Sequence, residues 1–318
     1  MTAAHVFSRL LQALATLLLV SFLVYVMIGL MPGDPVDLMA AGNPRMTPED
    51  LARLRSLYGL DRPLLARYGS WLASALSGDL GYSRVYNLPV LSVIGPRALN
   101  TALLLGLSLF VTVAAALPLG VQAARRPGSL PDRFINFFCL AGISLPHFWL
   151  GLLLICFFAV AHDWLPASAS MEGDFARRAA SLVLPVLTLA VSGLAVYVRH
   201  LRAAMLEALK ADHIRTARAK GCTERRVVWL HALRTALPPA LTIFMLDLGT
   251  LLGGALTVET VFAFPGMGKL MFDAIMGNDY NLALSGFLML TLFVVGANFA
   301  ADALYAALDP RVTYAGKK

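Results

Sequence analysis

Residues 179–221 read AASLVLPVLTLAVSGLAVYVRHLRAAMLEALKADHIRTARAKG, and the change of character at Arg199 decides the fold. Ala179 to Val198 carries no Asp, Glu, Lys or Arg, and about 20 apolar residues suffice for a helix to cross about 30 Å of hydrocarbon. From Arg199 the chain turns basic. Between Arg199 and Ala236 nine Lys and Arg stand against only Glu207, Asp212 and Glu224, a net charge of +6. A spanning helix that runs straight into a positive segment marks the cytoplasmic side of a membrane protein, where Lys and Arg concentrate. Within that segment Ala203, Ala204, Leu206, Ala208 and Leu209, then Ile214, Ala217 and Ala219, keep helical spacing up to Gly221, the expected stop.

Five further runs have the same character. Leu10 to Met31, Ala98 to Ala124, Phe134 to Ala161 and Tyr280 to Ala301 contain no charged side chain, and Thr235 to Val258 contains only Asp247. The fold class is therefore an all-α membrane protein with six transmembrane helices; the period-2 alternation of a barrel is absent. Composition agrees, since the 318 residues are 58% hydrophobic and 14% charged, where soluble domains run at about 45–50% and about 25%. The first run exceeds the roughly 7–15 apolar residues of a signal peptide and lacks a small-residue cleavage pattern, so it is expected to be retained. Three cysteines, Cys139, Cys156 and Cys222, form no CxxC and no even-numbered framework, and no structural disulfide is expected.

Basic residues orient the spans. With both termini on one side, that side holds sixteen Lys and Arg and the short opposite loops only Arg177, Arg178 and Lys269; seven lie in the long Pro32–Arg97 segment, whose length exempts it. Both termini are expected in the cytoplasm. The expected organisation is 1–97 as first span and extracytoplasmic loop, 98–308 as transmembrane core with a cytoplasmic segment at 199–236, and 309–318 as tail. In the outer loop, Pro32-Gly33-Asp34-Pro35 and Gly42-Asn43-Pro44 signal turns, and Thr47-Pro48-Glu49-Asp50 a capped helix start. Leu64 to Leu76 is amphipathic, with Tyr68, Trp71, Leu72 and Ala75 on one side, either an interfacial anchor or a docking surface.

Much chemistry is excluded. Gly266-Met267-Gly268-Lys269 is followed by Leu270 and lacks the upstream glycine of a P-loop, so no nucleotide cradle is expected. His5, His147, His162, His200, His213 and His231 have no metal-ligand spacing, and there is no HExxH or GxSxG. No residue is assigned a catalytic role and no metal or cofactor is expected on this chain. A charge inside a span costs about 2.5 to 3.5 kcal/mol, which marks Asp247, with Gly249 and Gly253 beside it, as a candidate for a polar translocation path or a helix-pairing contact. Phe148, Trp149 and Trp164 are candidates for an outer gate or for membrane anchors.

Several motifs, in order along the chain, then carry a resemblance. They are Met31-Pro32-Gly33-Asp34-Pro35; Tyr58-Gly59-Leu60-Asp61-Arg62-Pro63-Leu64 with Arg67-Tyr68 and Trp71-Leu72; Ser77-Gly78-Asp79-Leu80-Gly81-Tyr82-Ser83; Ile214-Arg215-Thr216-Ala217-Arg218-Ala219-Lys220-Gly221; His231-Ala232-Leu233-Arg234; and Leu308-Asp309-Pro310-Arg311. Together they resemble permeases of the dipeptide/oligopeptide/nickel branch of ABC importers. The resemblance implies a type I ABC importer permease fold, in which the chain pairs with a second homologous permease and with two ATPase subunits that bind ATP and Mg. It further implies an extracytoplasmic substrate-binding protein, a lipid bilayer around the subunit, a bacterial inner membrane and no nucleic acid.

It also implies that the basic cytoplasmic segment docks on the ATPase. Against the importer pattern EAA, three residues, Gly, nine residues, I-x-L-P, Gly221 fits, Thr216-Ala217 stand for the two alanines, Arg215 replaces the Glu, and Leu233 fits without its Ile and Pro. His213, Arg215, Thr216, Ala217, Ala219, Gly221 and Leu233 are the coupling residues this implies, with Ala217 and Ala219 giving close contact to the partner. Peptide, nickel or metal-chelate, and glutathione cargoes remain open. A self-contained secondary transporter is the alternative of another class.

Overall fold

The computed structural model describes residues 3–30, 36, 40, 46–57 and 61–308, the side chains of 3–6, 241–252 and 301–308 excepted. Met31–Pro35, Gly42–Pro44, Tyr58–Leu60 and the 309–318 tail lie outside the described residues. In chain order the helices are α1 Ala3–Gly29, α2 Pro48–Leu57, α3 Leu64–Leu76, α4 Val90–Arg125, α5 Leu130–Ser144 and α6 His147–Leu154, which continues as a π-helix over Ile155–Ala161. Then come α7 Phe175–Ala208, α8 Asp212–Ala219, α9 Glu224–Arg226 with a π-helix over Val227–Ala232, α10 Leu233–Val261, α11 Met267–Met276 and α12 Tyr280–Leu308. Among the described residues there is no strand, only an isolated bridge between Tyr82 and Pro89. Among the described residues four helices, α1, α4, α7 and α12, are long and apolar enough to cross a membrane, and α5 with α6 makes a fifth if the bent pair is one span. Thr235 to Val258 falls within α10, most of whose central side chains are outside the described set.

The stretch Phe134 to Ala161, expected as one spanning helix, is divided. The two halves meet at 108° across Leu145 and Pro146. Proline has no N–H to donate and disfavours the helical region in the residue before it, and Leu145 is accordingly extended, at φ −94° and ψ 125°.

Chain contacts fall into two units, one built mainly from Leu99–Lys269, the other from Val6–Ala98 and Leu270–Phe293. In the first, α7 is central and buries residues from Ser181 to Ala208 along its length. Small residues let neighbouring helices approach it closely. A Cβ on Gly120 of α4 would sit 2.9 Å from Leu201 Cδ2, one on Gly142 of α5 would sit 3.3 Å from the Val191 carbonyl, and Gly193 of α7 itself faces Thr112. One apolar core joins Leu104, Leu182, Leu184, Leu189, Val258, Phe262 and Phe264. Another joins the ends of α4 and α7 to α8 through Val121, Ala124, Leu201, Met205, Ile214 and Ala217.

In the second unit the cap at Thr47 forms as the sequence suggests: Asp50 N–H donates to Thr47 Oγ1 at 3.2 Å, and Thr47 N–H donates back to Asp50 Oδ2 at 3.0 Å. Thr47 N–H and the Thr47 hydroxyl, which donates to Asp50 Oδ2 at 2.8 Å, together hold the Asp50 carboxyl below its usual pKa, the backbone donor contributing most. The aromatics of α3 turn onto the first span. Tyr68 packs edge-on to Phe22 and Tyr25, Trp71 lies 6.0 Å from Tyr25, and the Tyr68 hydroxyl bonds Ser21 Oγ at 2.8 Å. Farther along, the buried Asp279 caps α12 by accepting from Leu282 N–H at 3.2 Å and fastens the segment between α3 and α4, accepting from Ser83 Oγ at 2.5 Å and Val85 N–H at 3.0 Å.

Candidate functional site

The basic segment 199–236, expected on the cytoplasmic side, folds around a short amphipathic helix. α7 ends at Ala208, Ala211 is extended, and α8 starts at Asp212. Apolar residues three apart fall on one helical face, and Ile214 and Ala217 are buried in the core shared with α4, α7 and the π-helix at Val227–Ala232. The opposite face, with His213, Arg215, Thr216 and Ala219, is exposed.

Gly221 ends α8 by chemistry that its position requires. It stands at φ +76°, Cys222 N–H donates to the Ala217 carbonyl at 3.2 Å and Gly221 N–H donates to the Arg218 carbonyl at 2.9 Å. These are the two bonds of a Schellman cap, and Cys222 packs on the same core as Ala217, completing it. Two side-chain links fix the helix further. Arg218 Nε donates to Glu224 Oε1 at 2.7 Å, holding the Glu224 carboxyl below its ordinary range, although an exposed pair contributes less than about 1 kcal/mol. His213 Nε2 meets Thr235 Oγ1 at 3.1 Å, joining α8 to the start of α10.

Of the coupling residues, His213, Arg215, Thr216, Ala219 and Gly221 are thus exposed together, whereas Ala217 and Leu233 are not among them. Ala217 is only 7% exposed and Leu233 packs against the same core, so both serve the helix's own seat. Position 217 falls on the apolar face with Ile214, so in the isolated chain the Ala217 methyl packs into the core and not outward.

The expected path residues are less drawn together. Asp247 and Gly249 lie in α10 with side chains outside the described residues. Gly253 is exposed, with nothing within 4 Å of where a Cβ would be, while at Gly254 a Cβ would stand 3.2 Å from His147 Nε2 at the α5–α6 bend. Phe148 and Trp149 begin α6 at that bend, and Trp164 packs beside Phe157, Phe158 and His162.

Glu259 belongs to no motif in the sequence, yet it is a buried hub of the fold. Its carboxylate is fully buried and accepts from Thr101 Oγ1 at 2.6 Å, Gly268 N–H at 2.6 Å and Lys269 N–H at 3.2 Å. Gly266-Met267-Gly268-Lys269, rejected as a phosphate loop, is a cradle for the chain's own carboxylate: successive N–H groups at a helix start favour an anion. A Cβ at Gly266 would overlap that carboxylate. Among the described residues no three His, Cys, Asp or Glu are placed to hold a metal ion.

The arrangement is thus a set of apolar helices of bilayer length with one short helix, α8, seated on a shared core by one face and exposed on the other. Residues 116–314 match the family model of the binding-protein-dependent transport system inner membrane component, and residues 3–93 match the model of its N-terminal region. The chain belongs to this family of transport permeases. The oligopeptide transport system permease protein AppB of Bacillus subtilis (strain 168) is 37% identical over 98% of the chain and all of that protein. The glutathione transport system permease protein GsiC of Escherichia coli O6:H1 is 37% identical over 98% of the chain and 99% of that protein.

The fold resembles a chain of the MetNI methionine ABC transporter, with TM-score 0.58 and 22% identity, covering 69% of this chain and 97% of that one. The permease therefore has the type I ABC importer fold and stands in the dipeptide/oligopeptide branch. It is a multi-pass inner-membrane component that works with ATPase and substrate-binding partners. ATP hydrolysis belongs to the separate ATPase subunits, so the permease is not itself catalytic.

Proposed function

We propose that this permease forms half of a translocation path for di- or oligopeptides. A second homologous permease supplies the other half, two ATPase subunits carrying ATP and Mg sit on the cytoplasmic side, and an extracytoplasmic binding protein delivers the peptide. Both termini are cytoplasmic, 1–97 forms the first span and outer loop, and 98–308 the core. The observation that carries this reading is α8: a helix seated by Ile214 and Ala217 on the inner ends of α4 and α7 while His213, Arg215, Thr216 and Ala219 face outward. A partner that grips this face moves the membrane helices with it. ATP binding closes the ATPases, α8 follows, and the bundle rocks so that the path opens toward the loaded binding protein. Asp247, Gly249 and Gly253 on α10 border the path.

Peptide cargo is supported by the relation to AppB; glutathione is a second reading, because GsiC is 37% identical over a similar share of the chain. Reconstitution of the full complex in proteoliposomes, with its binding protein, separates the cargoes. ATP-dependent uptake of a radiolabelled dipeptide or tetrapeptide is the expected result. Uptake of glutathione or nickel in place of peptides overturns the peptide assignment, and uptake by the permease alone without ATP overturns the importer mechanism in favour of a self-contained carrier.

A further inference from the structure

Asp132, near the start of α5, is 3% exposed, and both of its carboxylate oxygens are fully engaged. Oδ1 accepts from Arg202 Nε at 2.7 Å and Asn136 Nδ2 at 2.6 Å; Oδ2 accepts from Arg202 Nη2 at 2.8 Å and from Gly128 N–H at 2.8 Å. Gly128, at φ +78°, forms the turn between α4 and α5, so one carboxylate ties that turn, the first helical turn of α5 and the side of α7 together. The guanidinium meets it as a planar two-pronged fork, which fixes orientation as well as distance.

Arg202 lies on α7 between the span and α8. Its neighbour Leu201 packs on α4 at Gly120 and shares the apolar core that seats Ile214 and Ala217 of α8. On the other side, Asp132 opens α5, the helix that runs to the 108° bend at Leu145 and Pro146. Apolar contacts among α4, α7 and α8 are non-directional. The two-pronged bond between Asp132, itself held by Gly128 and Asn136, and the partly exposed Arg202 is directional and fixes the register of α5 against α7.

We infer that Asp132 and Arg202 are a positioning pair that transmits displacement of α8, through the inner end of α7, to α5 and the bent span. This rests on the proposed role of α8 in coupling. Asp132→Asn, Arg202→Gln and Arg202→Lys, the last keeping charge but losing the fork, separate transmission from mere support when tested in the assembled complex in nanodiscs and proteoliposomes.

The readouts are ATPase co-purification, ATP hydrolysis and peptide moved per ATP consumed. The expected result is retained assembly, hydrolysis close to that of the parent, and a fall of about tenfold in peptide moved per ATP, in the range of ordinary coupling energies. An unchanged ratio overturns the inference, whether hydrolysis and transport both stay normal or fall in proportion. Should Asp132→Asn or Arg202→Gln fail to reach the membrane, Arg202→Lys decides by the same ratio. Failure of the parent complex to consume ATP during transport would instead sink the coupling role of α8.

Discussion

Gly268→Ala is expected to remove most of the permease from the membrane. The added methyl would overlap the Cα of Leu256 on α10 and crowd Glu259 Oε2 at 2.9 Å. A clash with backbone is not relieved by a rotamer change, so α11 must move away, and the Glu259 carboxylate then loses donors that it accepts from Gly268 and Lys269 while remaining fully buried. Overpacking costs about 3 kcal/mol at the upper end of the usual range, and the loss of two donors to a buried carboxylate adds to it, against a total stability of about 5–15 kcal/mol. Gly253→Ala is the matched control. Its Cβ meets nothing within 4 Å, and it is expected to leave membrane abundance and thermal unfolding unchanged. Quantifying both variants in the membrane fraction, then following their unfolding in detergent, checks the pair; equal behaviour would contradict the packing described at α10 and α11.

Gly221→Val is expected to leave the permease in the membrane and to abolish transport. Position 221 is left-handed at φ +76° with open space around it, so no neighbour is struck. The strain of a non-glycine residue there is about 1–2 kcal/mol, too little to unfold the chain but enough to shift the end of α8 and its Schellman bonds. A branched side chain also adds bulk to the face where the ATPase is proposed to dock. Gly221→Asn separates these effects, since Asn visits the left-handed region readily, and it is expected to keep most transport. Uptake rates normalised to membrane abundance compare the two. Full transport by Gly221→Val would contradict the docking role of the α8 terminus.

The all-α membrane fold and the helix stop at Gly221 were legible because each rests on local pattern: uncharged runs of bilayer length, and a glycine closing an apolar-periodic segment. The bend at Leu145–Pro146 was equally local, written in Ser144-Leu145-Pro146-His147, but an unbroken apolar run over Phe134–Ala161 outweighs one proline when only length and charge are counted. Glu259 and the Asp132–Arg202 pair were not legible, because their meaning depends on partners 158 and 70 residues away in sequence, Thr101 and Arg202. Ala217 lies between. The importer pattern singles it out, yet only the burial of its face distinguishes a residue that seats the helix from one that touches a partner.

The central claim is that α8 couples this permease to an ATPase. It is tested most directly by placing a cysteine at the exposed Ala219, in a background lacking Cys139, Cys156 and Cys222, and treating native membranes with a short thiol-to-amine crosslinker. The expected result is a crosslinked product containing a P-loop ATPase, identified by mass spectrometry, whose yield changes when ATP is bound. A permease that forms no such product, purifies alone and still carries peptides without ATP would contradict it.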